Sequence, residues 1–228
     1  MLTPRLVLFD IDGTLIDTGG AGARSWTWAF ERQFGRKIDI AEHSTAGMTD
    51  PAIARATFRE VMDREPTSED LTRLMVSYQA VLPDYVASSP DYRVLTGAEE
   101  LLERLTSAGV LLGLTTGGLE AAAHAKLGRG RLNHFFSLGG YGSDSEDRTT
   151  LTRAAVDRGR RMLDGRLDLA EVFVVGDTPL DIAAAEGVGA VSVGVASGRY
   201  SVQELRAANA DHVLVSLAEP FPGVPTSN

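Results

Sequence analysis

The chain contains no cysteine, so disulfide bonds and thiolate metal sites are excluded. Lysine is almost as scarce, since Lys37 and Lys126 are the only two and arginine carries nearly all the positive charge. The formal net charge is −9, and no run of basic residues stands out. Because proteins that bind a phosphate backbone normally present a basic face, nucleic acid is not expected as a partner.

Long hydrophobic runs are also missing. No stretch approaches the roughly 20 apolar residues of a membrane-spanning helix, so no membrane partner is expected. The apolar run near the N-terminus is short and two Asp interrupt it, which does not fit a signal peptide. A cytoplasmic protein is therefore predicted, as a monomer or a homodimer. Its 228 residues, 43% of them hydrophobic, suffice for one large domain with a small insert.

Short apolar runs of the kind found in fully buried strands recur along the chain. They lie at residues 5–9, 110–114, 135–138, 172–175, 190–195 and 212–215. Stretches with apolar residues at three- and four-residue spacing separate several of them, at 97–108, 119–127, 150–163 and 180–186. Alternating strands and helices predict an α/β fold, a Rossmann-like core with a parallel sheet.

Residues 22–89 break this alternation, because they contain no convincing strand pattern. Helices are predicted there near 23–34, 51–63 and 68–86. The sequence therefore predicts two domains: a core built from residues 1–17 and 93–228, and an inserted α-helical domain formed by residues 18–92.

The first strand ends in the sequence Asp10-Ile11-Asp12-Gly13-Thr14. Side chains alternate along a strand, so Asp10 and Asp12 point to the same side. Ligands bind at the carboxyl ends of parallel strands, and two close carboxylates need a cation or a proton there. The motif predicts a catalytic or metal-binding pair rather than a solvated turn.

The strand at 172–175 leads into a second acidic motif, which contains Asp177, Thr178 and Asp181. Asp177 closes a buried strand on the expected edge of the sheet and could complete an oxygen-ligand site with Asp10, which suits Mg²⁺. Asp181 falls in the first turn of a helix that Thr178 can cap, where an acid can also be purely structural.

A third strand ends in Thr115-Thr116-Gly117-Gly118 and is followed by a helix. A hydroxyl group and free backbone N–H groups at a helix N-terminus form a cradle for anions. The same residues could equally be a simple helix cap, so this motif alone is a weak signal.

Together these motifs resemble the haloacid dehalogenase superfamily of phosphotransferases, over nearly the whole chain and in the same order. The resemblance implies that the helical insert is a cap domain over the core. It implies that Asp10 is the nucleophile and that Asp12 is the general acid and base. It further implies Mg²⁺ bound by Asp10, the Asp12 backbone carbonyl and Asp177 with support from Asp181, and a phosphoryl group bound by Thr116 and Gly117.

The third motif of that family is most often a lysine, and here the chain departs from the pattern. Lys37 lies in the insert, and Lys126 lies in the middle of a helix at the wrong point between motifs. Arg148, just ahead of a helix, is the predicted replacement, because arginine can bridge a carboxylate and a phosphate. A surface charge at a helix start is the alternative interpretation of Arg148.

The resemblance is greatest to phosphoglycolate-phosphatase-like members and implies a small phosphorylated metabolite as substrate. Thr49 also fits as the cap of the next helix. The segment Thr18-Gly19-Gly20 is predicted as the hinge between the core and the cap. The candidate substrate-binding residues at the strand ends, this hinge and the cap are Thr14, Thr18, Gly19, Arg24, Thr49, Asp50 and Gly117.

Several alternatives remain open. A dehalogenase needs no second acid, so Asp12 argues against it. A phosphonate hydrolase needs a cap lysine, which Lys37 could supply, but Asp12 again argues against this activity. A receiver-like signalling domain would lack the helical insert. A phosphomutase keeps both acids, and a catalytically silent phosphate-binding protein could keep them too.

Overall fold

The computed structural model describes residues 3–224 and contains a six-stranded parallel sheet. The strand order is β5-β4-β1-β6-β7-β8, which places the first strand at the centre. Its strands are β1 (Leu6–Phe9), β4 (Leu111–Thr116), β5 (Leu138–Tyr141), β6 (Val172–Gly176), β7 (Val191–Val195) and β8 (His212–Leu214). The predicted Rossmann-like α/β class is confirmed.

The central strand explains how the sheet is covered on both faces. Its four residues are fully buried, and they alternate between two hydrophobic cores. Val7 and Phe9 pack with α4 (Ala98–Ser107) and α5 (Glu120–Arg129). Leu6 and Leu8 pack on the other face with helices of the second half of the chain. The remaining helices of this domain are α6 (Arg148–Met162), α7 (Pro179–Val188) and α8 (Val202–Ala207).

The strand predicted at 135–138 is wrong. Residues Asn133–Phe135 form a short 3-10 helix, and the strand is Leu138–Tyr141. Gly139 and Gly140 hide it in the sequence, because glycine carries no apolar signal. A Cβ atom on Gly140 would lie 2.0 Å from the Leu151 carbonyl oxygen, so glycine lets α6 pack closely against this strand.

A helical unit, formed by α1 (Ala21–Phe34), α2 (Asp50–Met62) and α3 (Ser68–Ser88), lies between two short strands. It has its own hydrophobic core, in which the rings of Trp26 and Tyr78 stack with centroids 4.2 Å apart. The chain enters and leaves through β2 (Ile16–Asp17) and β3 (Arg93–Val94), which pair antiparallel. We propose that the two domains divide here, as 18–92 and the rest. The sequence ends, residues 1–2 and 225–228, lie outside the described residues.

No helix among residues 3–224 is long and apolar enough to cross a membrane.

Candidate active site

The register of the central strands brings two predicted acids together. Phe9 on β1 pairs with Val175 on β6, and the Asp10 N–H donates to the Val175 carbonyl at 2.8 Å. Asp10 and Asp177, each just beyond its strand, therefore face each other at the carboxyl edge of the sheet. Both are buried, with 6% and 3% of their surface exposed.

Asp10, Asp177 and Asp181 form one buried acidic cluster that could hold a metal ion. Each offers a carboxylate oxygen, and these three oxygens lie within 4.8 Å of one another. Burial, opposed by Arg148, raises the pKa of Asp10 to about 7. Burial and the charge of Asp10 raise the pKa of Asp177 to about 8. Ionised carboxylates here repel each other, so a cation would stabilise the cluster.

Arg148 is buried beside this cluster rather than lying at the surface. Its Nη2 donates to Asp10 Oδ1 at 2.8 Å, and its Nε donates to Asp181 Oδ1 at 2.9 Å. Its Nη1 donates to the Gly47 carbonyl of the helical unit at 3.0 Å. Asp147 begins α6 by accepting a hydrogen bond from Thr150 N, and this places Arg148 in the first turn. One guanidinium thus links the predicted nucleophile, the second motif and the helical unit.

Thr14 contacts the acidic cluster and not the cavity. It is fully buried, and its hydroxyl donates to Asp177 Oδ1 at 3.3 Å. Gly13 has a φ of 86°, and a Cβ atom there would lie 2.5 Å from Asp177 Oδ2. A Cβ atom on Gly198 would lie 1.7 Å from the same oxygen. These three residues surround the Asp177 carboxylate, and Thr14, predicted as a substrate contact, is not among the residues that line the cavity.

Thr116 and Gly117 lie at the end of β4 and line the cavity. The Thr116 hydroxyl accepts a hydrogen bond from Gly118 N at 3.2 Å. The Gly117 carbonyl accepts one from Asp50 N at 2.7 Å, so this loop touches the helical unit directly. A Cβ atom on Gly117 would lie 2.6 Å from the Met48 carbonyl, and glycine is needed for this close approach.

Lys126, which the sequence argument set aside, lies in the site. Its ammonium group is 2.5 Å from Asp12 Oδ2, and the side chain is 8% exposed. Lysine that is this deeply buried is nearly always paired. A signal was present in the sequence, since Lys126 falls on the buried stripe of α5 that also contains Leu119, Ala122, Ala123 and Leu127.

The wall beside Lys126 comes from the helical unit and consists of Trp26, Tyr78 and Asp50, all of which line the cavity. Asp50 Oδ2 accepts a hydrogen bond from Leu119 N at 2.9 Å. Burial raises the pKa of Asp50, although the charge of Lys126 opposes this shift. The Lys126 pKa is raised above its usual value because the neighbouring carboxylates Asp12 and Asp50 outweigh its burial.

Three predicted substrate contacts lie elsewhere and have structural partners. The Gly19 N–H donates to Asp17 Oδ1 at 2.8 Å, and Arg24 donates to the Gly19 carbonyl and to Ser89 Oγ. Gly19 and Arg24 therefore join the two chain segments that connect the helical unit to β2 and β3. Thr49 caps α2 and donates to the Glu146 carbonyl, which confirms the capping alternative.

The cavity between the helical unit and the sheet edge has a volume of about 490 Å³. The predicted residues Asp10, Asp12, Thr18, Asp50, Thr116, Gly117, Arg148 and Asp177 all line it. Asp12 has a side chain that is 45% exposed and reaches into this space. The sequence did not predict Ser197, Gly198 and Arg199, from the loop after β7, as lining residues.

Comparisons with known proteins find relatives along nearly the whole chain. The profile of the family described as haloacid dehalogenase-like hydrolase matches residues 7–195. A probable phosphatase, IndB, of Dickeya dadantii is 27% identical over 218 residues, which cover 94% of this chain and 90% of that protein. A phosphoglycolate phosphatase of Neisseria meningitidis is 30% identical over 222 residues, which cover 95% and 92% of the two chains.

The fold also occurs in an enzyme with a different name. The crystal structure of β-phosphoglucomutase from Clostridium difficile superposes with a TM-score of 0.72 at 17% identity. The match covers 95% of this chain and 92% of that one. The fold alone therefore does not separate a phosphatase from a phosphomutase.

Proposed function

The chain belongs to the haloacid dehalogenase-like hydrolase family, and we propose that it hydrolyses a small phosphorylated metabolite with Mg²⁺ and a phospho-aspartate intermediate on Asp10. Because its relatives are named as phosphatases, the chain is a phosphoric monoester hydrolase. The substrate, the metal and the residue roles are the parts that we propose.

One observation carries this proposal: a buried arginine and three buried acids meet at the carboxyl edge of the sheet. Arg148 touches both Asp10 and Asp181, and Asp177 completes the cluster. A fixed guanidinium beside a carboxylate suits a phosphoryl group that must approach that carboxylate.

The donor set of the cluster fits Mg²⁺. Asp10 and Asp177 offer hard carboxylate oxygens. Burial, and after it the repulsion between the acids, raises their pKa values, and a divalent cation would favour the ionised forms. Asp181 lies behind them, with Oδ1 bonded to Arg148 and Oδ2 bonded to Thr178. When bound, Mg²⁺ would offset the negative charge of the phosphoryl oxygens.

In the first step, Asp10 attacks phosphorus, a bond forms from its carboxylate oxygen, and the bond to the leaving oxygen breaks. Asp12 donates a proton to the leaving oxygen, so the product departs as an alcohol. Arg148 balances negative charge at the nucleophile. Thr116 and Gly117, on the loop that faces this site, hold the phosphoryl oxygens.

In the second step, water attacks the phosphorus of the aspartyl phosphate and Asp12 accepts the proton from that water. The Asp10 carboxylate is regenerated and inorganic phosphate leaves. The helical unit covers the cavity and would exclude bulk water during the first step. The cavity volume of about 490 Å³ suits a small metabolite rather than a macromolecule.

A steady-state assay with p-nitrophenyl phosphate, with and without Mg²⁺, tests this function. Turnover that requires Mg²⁺ is the expected result, and full activity in EDTA would contradict the metal assignment. A silent phosphate-binding protein would show no turnover. For a sugar phosphate, product analysis separates free phosphate from an isomeric sugar phosphate, the product of a phosphomutase.

A further inference from the structure

In the proposed function, the wall of the cavity away from the acidic cluster receives the part of the substrate that leaves. Its charged groups are Asp12, Asp50 and Lys126. The Lys126 ammonium is bonded to Asp12 at 2.5 Å, so its charge is already matched by that carboxylate. Asp50 adds a second, buried carboxylate to the same wall. Two acids thus lie beside one ammonium, and the wall offers no surplus positive charge.

Among residues 3–224, none of the other cations that line the cavity is both buried and unpaired. Arg148 is bonded to Asp10, Asp181 and the Gly47 carbonyl at the phosphoryl end. Arg93 pairs with Asp17 at 2.6 Å and is 63% exposed. Arg199 lines the cavity from an exposed position, where water screens its charge.

Aromatic and apolar side chains also line this wall, beside the polar residues Ser44 and Thr45. Trp26 and Tyr78 are almost fully buried and stack nearly parallel, with an angle of 10° between their rings. Ile40, Met48 and Ile53 also line the cavity. An anionic leaving group placed here would lose its hydration and gain no buried, unpaired cation in return.

We propose that the substrate is a phosphate ester whose leaving alcohol carries no negative charge, either a neutral alcohol or an amino alcohol, with Asp50 as the residue that disfavours an anionic one. This inference rests on the proposed phosphatase function and names its substrate class. It separates this chain from its relative named for phosphoglycolate, an ester whose leaving alcohol carries a carboxylate.

Three esters of nearly equal size test the proposal: 2-phosphoglycolate, 2-hydroxyethyl phosphate and phosphoethanolamine. They differ mainly in the charge of the leaving alcohol, which is negative, neutral and positive. We expect kcat/KM for the neutral and positive esters to exceed that for 2-phosphoglycolate at least about tenfold, because like charges in a buried contact are strongly unfavourable. A preference for 2-phosphoglycolate would overturn the proposal.

Asp50→Asn tests the residue. The amide keeps the oxygen that accepts from Leu119 N but removes the charge, so kcat/KM for 2-phosphoglycolate should rise relative to that for phosphoethanolamine. Glu31→Gln, an exposed site on α1 outside the cavity lining, is the matched control and should leave this ratio unchanged. An unchanged ratio in folded Asp50→Asn would overturn the role of Asp50.

The wild-type comparison decides the substrate class even if Asp50→Asn fails to fold. Failure of the inference and failure of the proposed function give different results. Hydrolysis of p-nitrophenyl phosphate with a preference for 2-phosphoglycolate overturns only the inference. No hydrolysis of any of the four esters, in a folded protein with Mg²⁺, overturns the proposed function and the inference with it.

Discussion

The Lys126 ammonium lies 2.5 Å from a carboxylate oxygen of Asp12, although 114 residues separate the two in the chain. Lys126 projects from the second turn of α5, and Asp12 follows the central strand. The ammonium is buried while Asp12 reaches into the cavity, so Lys126 anchors one carboxylate oxygen of the predicted acid and base. A lysine in this position fixes where the Asp12 carboxylate can point.

Replacing Lys126 by methionine should lower kcat for alkyl phosphates about tenfold or more, because general acid–base help worth ~10²–10⁴-fold depends on the placement of Asp12. KM should change less, since Lys126 is not proposed to bind the phosphoryl group. The measurement is steady-state kinetics on folded protein.

Lys37→Met is the matched control for that experiment. Lys37 is the only other lysine, it is exposed, and it does not line the cavity. The control should keep wild-type kcat. Wild-type kcat in folded Lys126→Met would show that Asp12 does not need this partner.

Removing the second acid should separate the two chemical steps. Asp12→Ala should release a burst of about one p-nitrophenol per site and then turn over slowly, because this leaving group needs little proton donation whereas hydrolysis of the intermediate needs a base. Alkyl phosphates should show neither phase. Asp12→Asn controls for a shifted turn, and near-wild-type rates on alkyl phosphates in both variants would remove Asp12 from the mechanism.

Arg148→Lys should be a poor substitute, although lysine is the usual residue of the family's third motif. Arg148 uses three nitrogen atoms for partners just after β1, on α7 and in the helical unit, and a lysine ammonium cannot span them. Hydrogen bonds to charged groups contribute about 1.5–3 kcal/mol each, so kcat/KM should fall about tenfold or more.

Arg153→Lys provides the control on the same helix, since Arg153 is exposed and donates to the Gly187 carbonyl away from the cavity. Equal effects of the two substitutions would indicate damage to α6 rather than loss of the Arg148 contacts.

Asp177→Asn should have opposite effects on stability without and with Mg²⁺. Without metal it should raise Tm, because the folded state disfavours the ionised Asp177 carboxylate, whose pKa is raised to about 8. With Mg²⁺ the wild type should gain about 2.7 kcal/mol at about a hundred times Kd, and the variant much less. Thermal unfolding with and without Mg²⁺ measures both effects, and an equal Mg²⁺ shift in the two proteins would remove Asp177 from the metal site.

Asp10→Asn should abolish turnover while the fold survives, because an amide is not a nucleophile and binds Mg²⁺ more weakly. Circular dichroism checks the fold, and the p-nitrophenyl phosphate assay measures kcat. Covalent catalysis by Asp10 is wrong if the folded variant keeps more than about a hundredth of the wild-type kcat, a loss of ~2.7 kcal/mol.

Strand ends and local motifs were accessible from the sequence because their signals are local. Asp10, Thr116 and Asp177 each follow an apolar run, and parallel strands bring such positions to one edge. The edge strand β5 could not be predicted in the same way, since Gly139 and Gly140 carry no hydrophobic signal.

Contacts between distant segments could not be predicted. Lys126 was placed correctly within a helix, but its partner depends on how α5 packs against the central strand. The resemblance to substrate-facing cap segments predicts Arg24 as a substrate contact, whereas in the structure it donates to the Gly19 carbonyl and to Ser89 Oγ. A local pattern does not specify which of two nearby surfaces a long side chain will reach.

One helix belongs to two hydrophobic cores. Leu119 and Ala122, at the start of α5, pack into the core of the helical unit, while Ala123 and Leu127 pack under the sheet. Lifting the whole unit away would expose that first pair to water. A unit that opens while keeping this pair buried would therefore turn about the start of α5. That turn would break the polar contacts of Gly47, Thr49 and Arg55 with the core domain. The aperture that such a turn opens, and not the volume of the cavity, then limits the size of molecule that can enter.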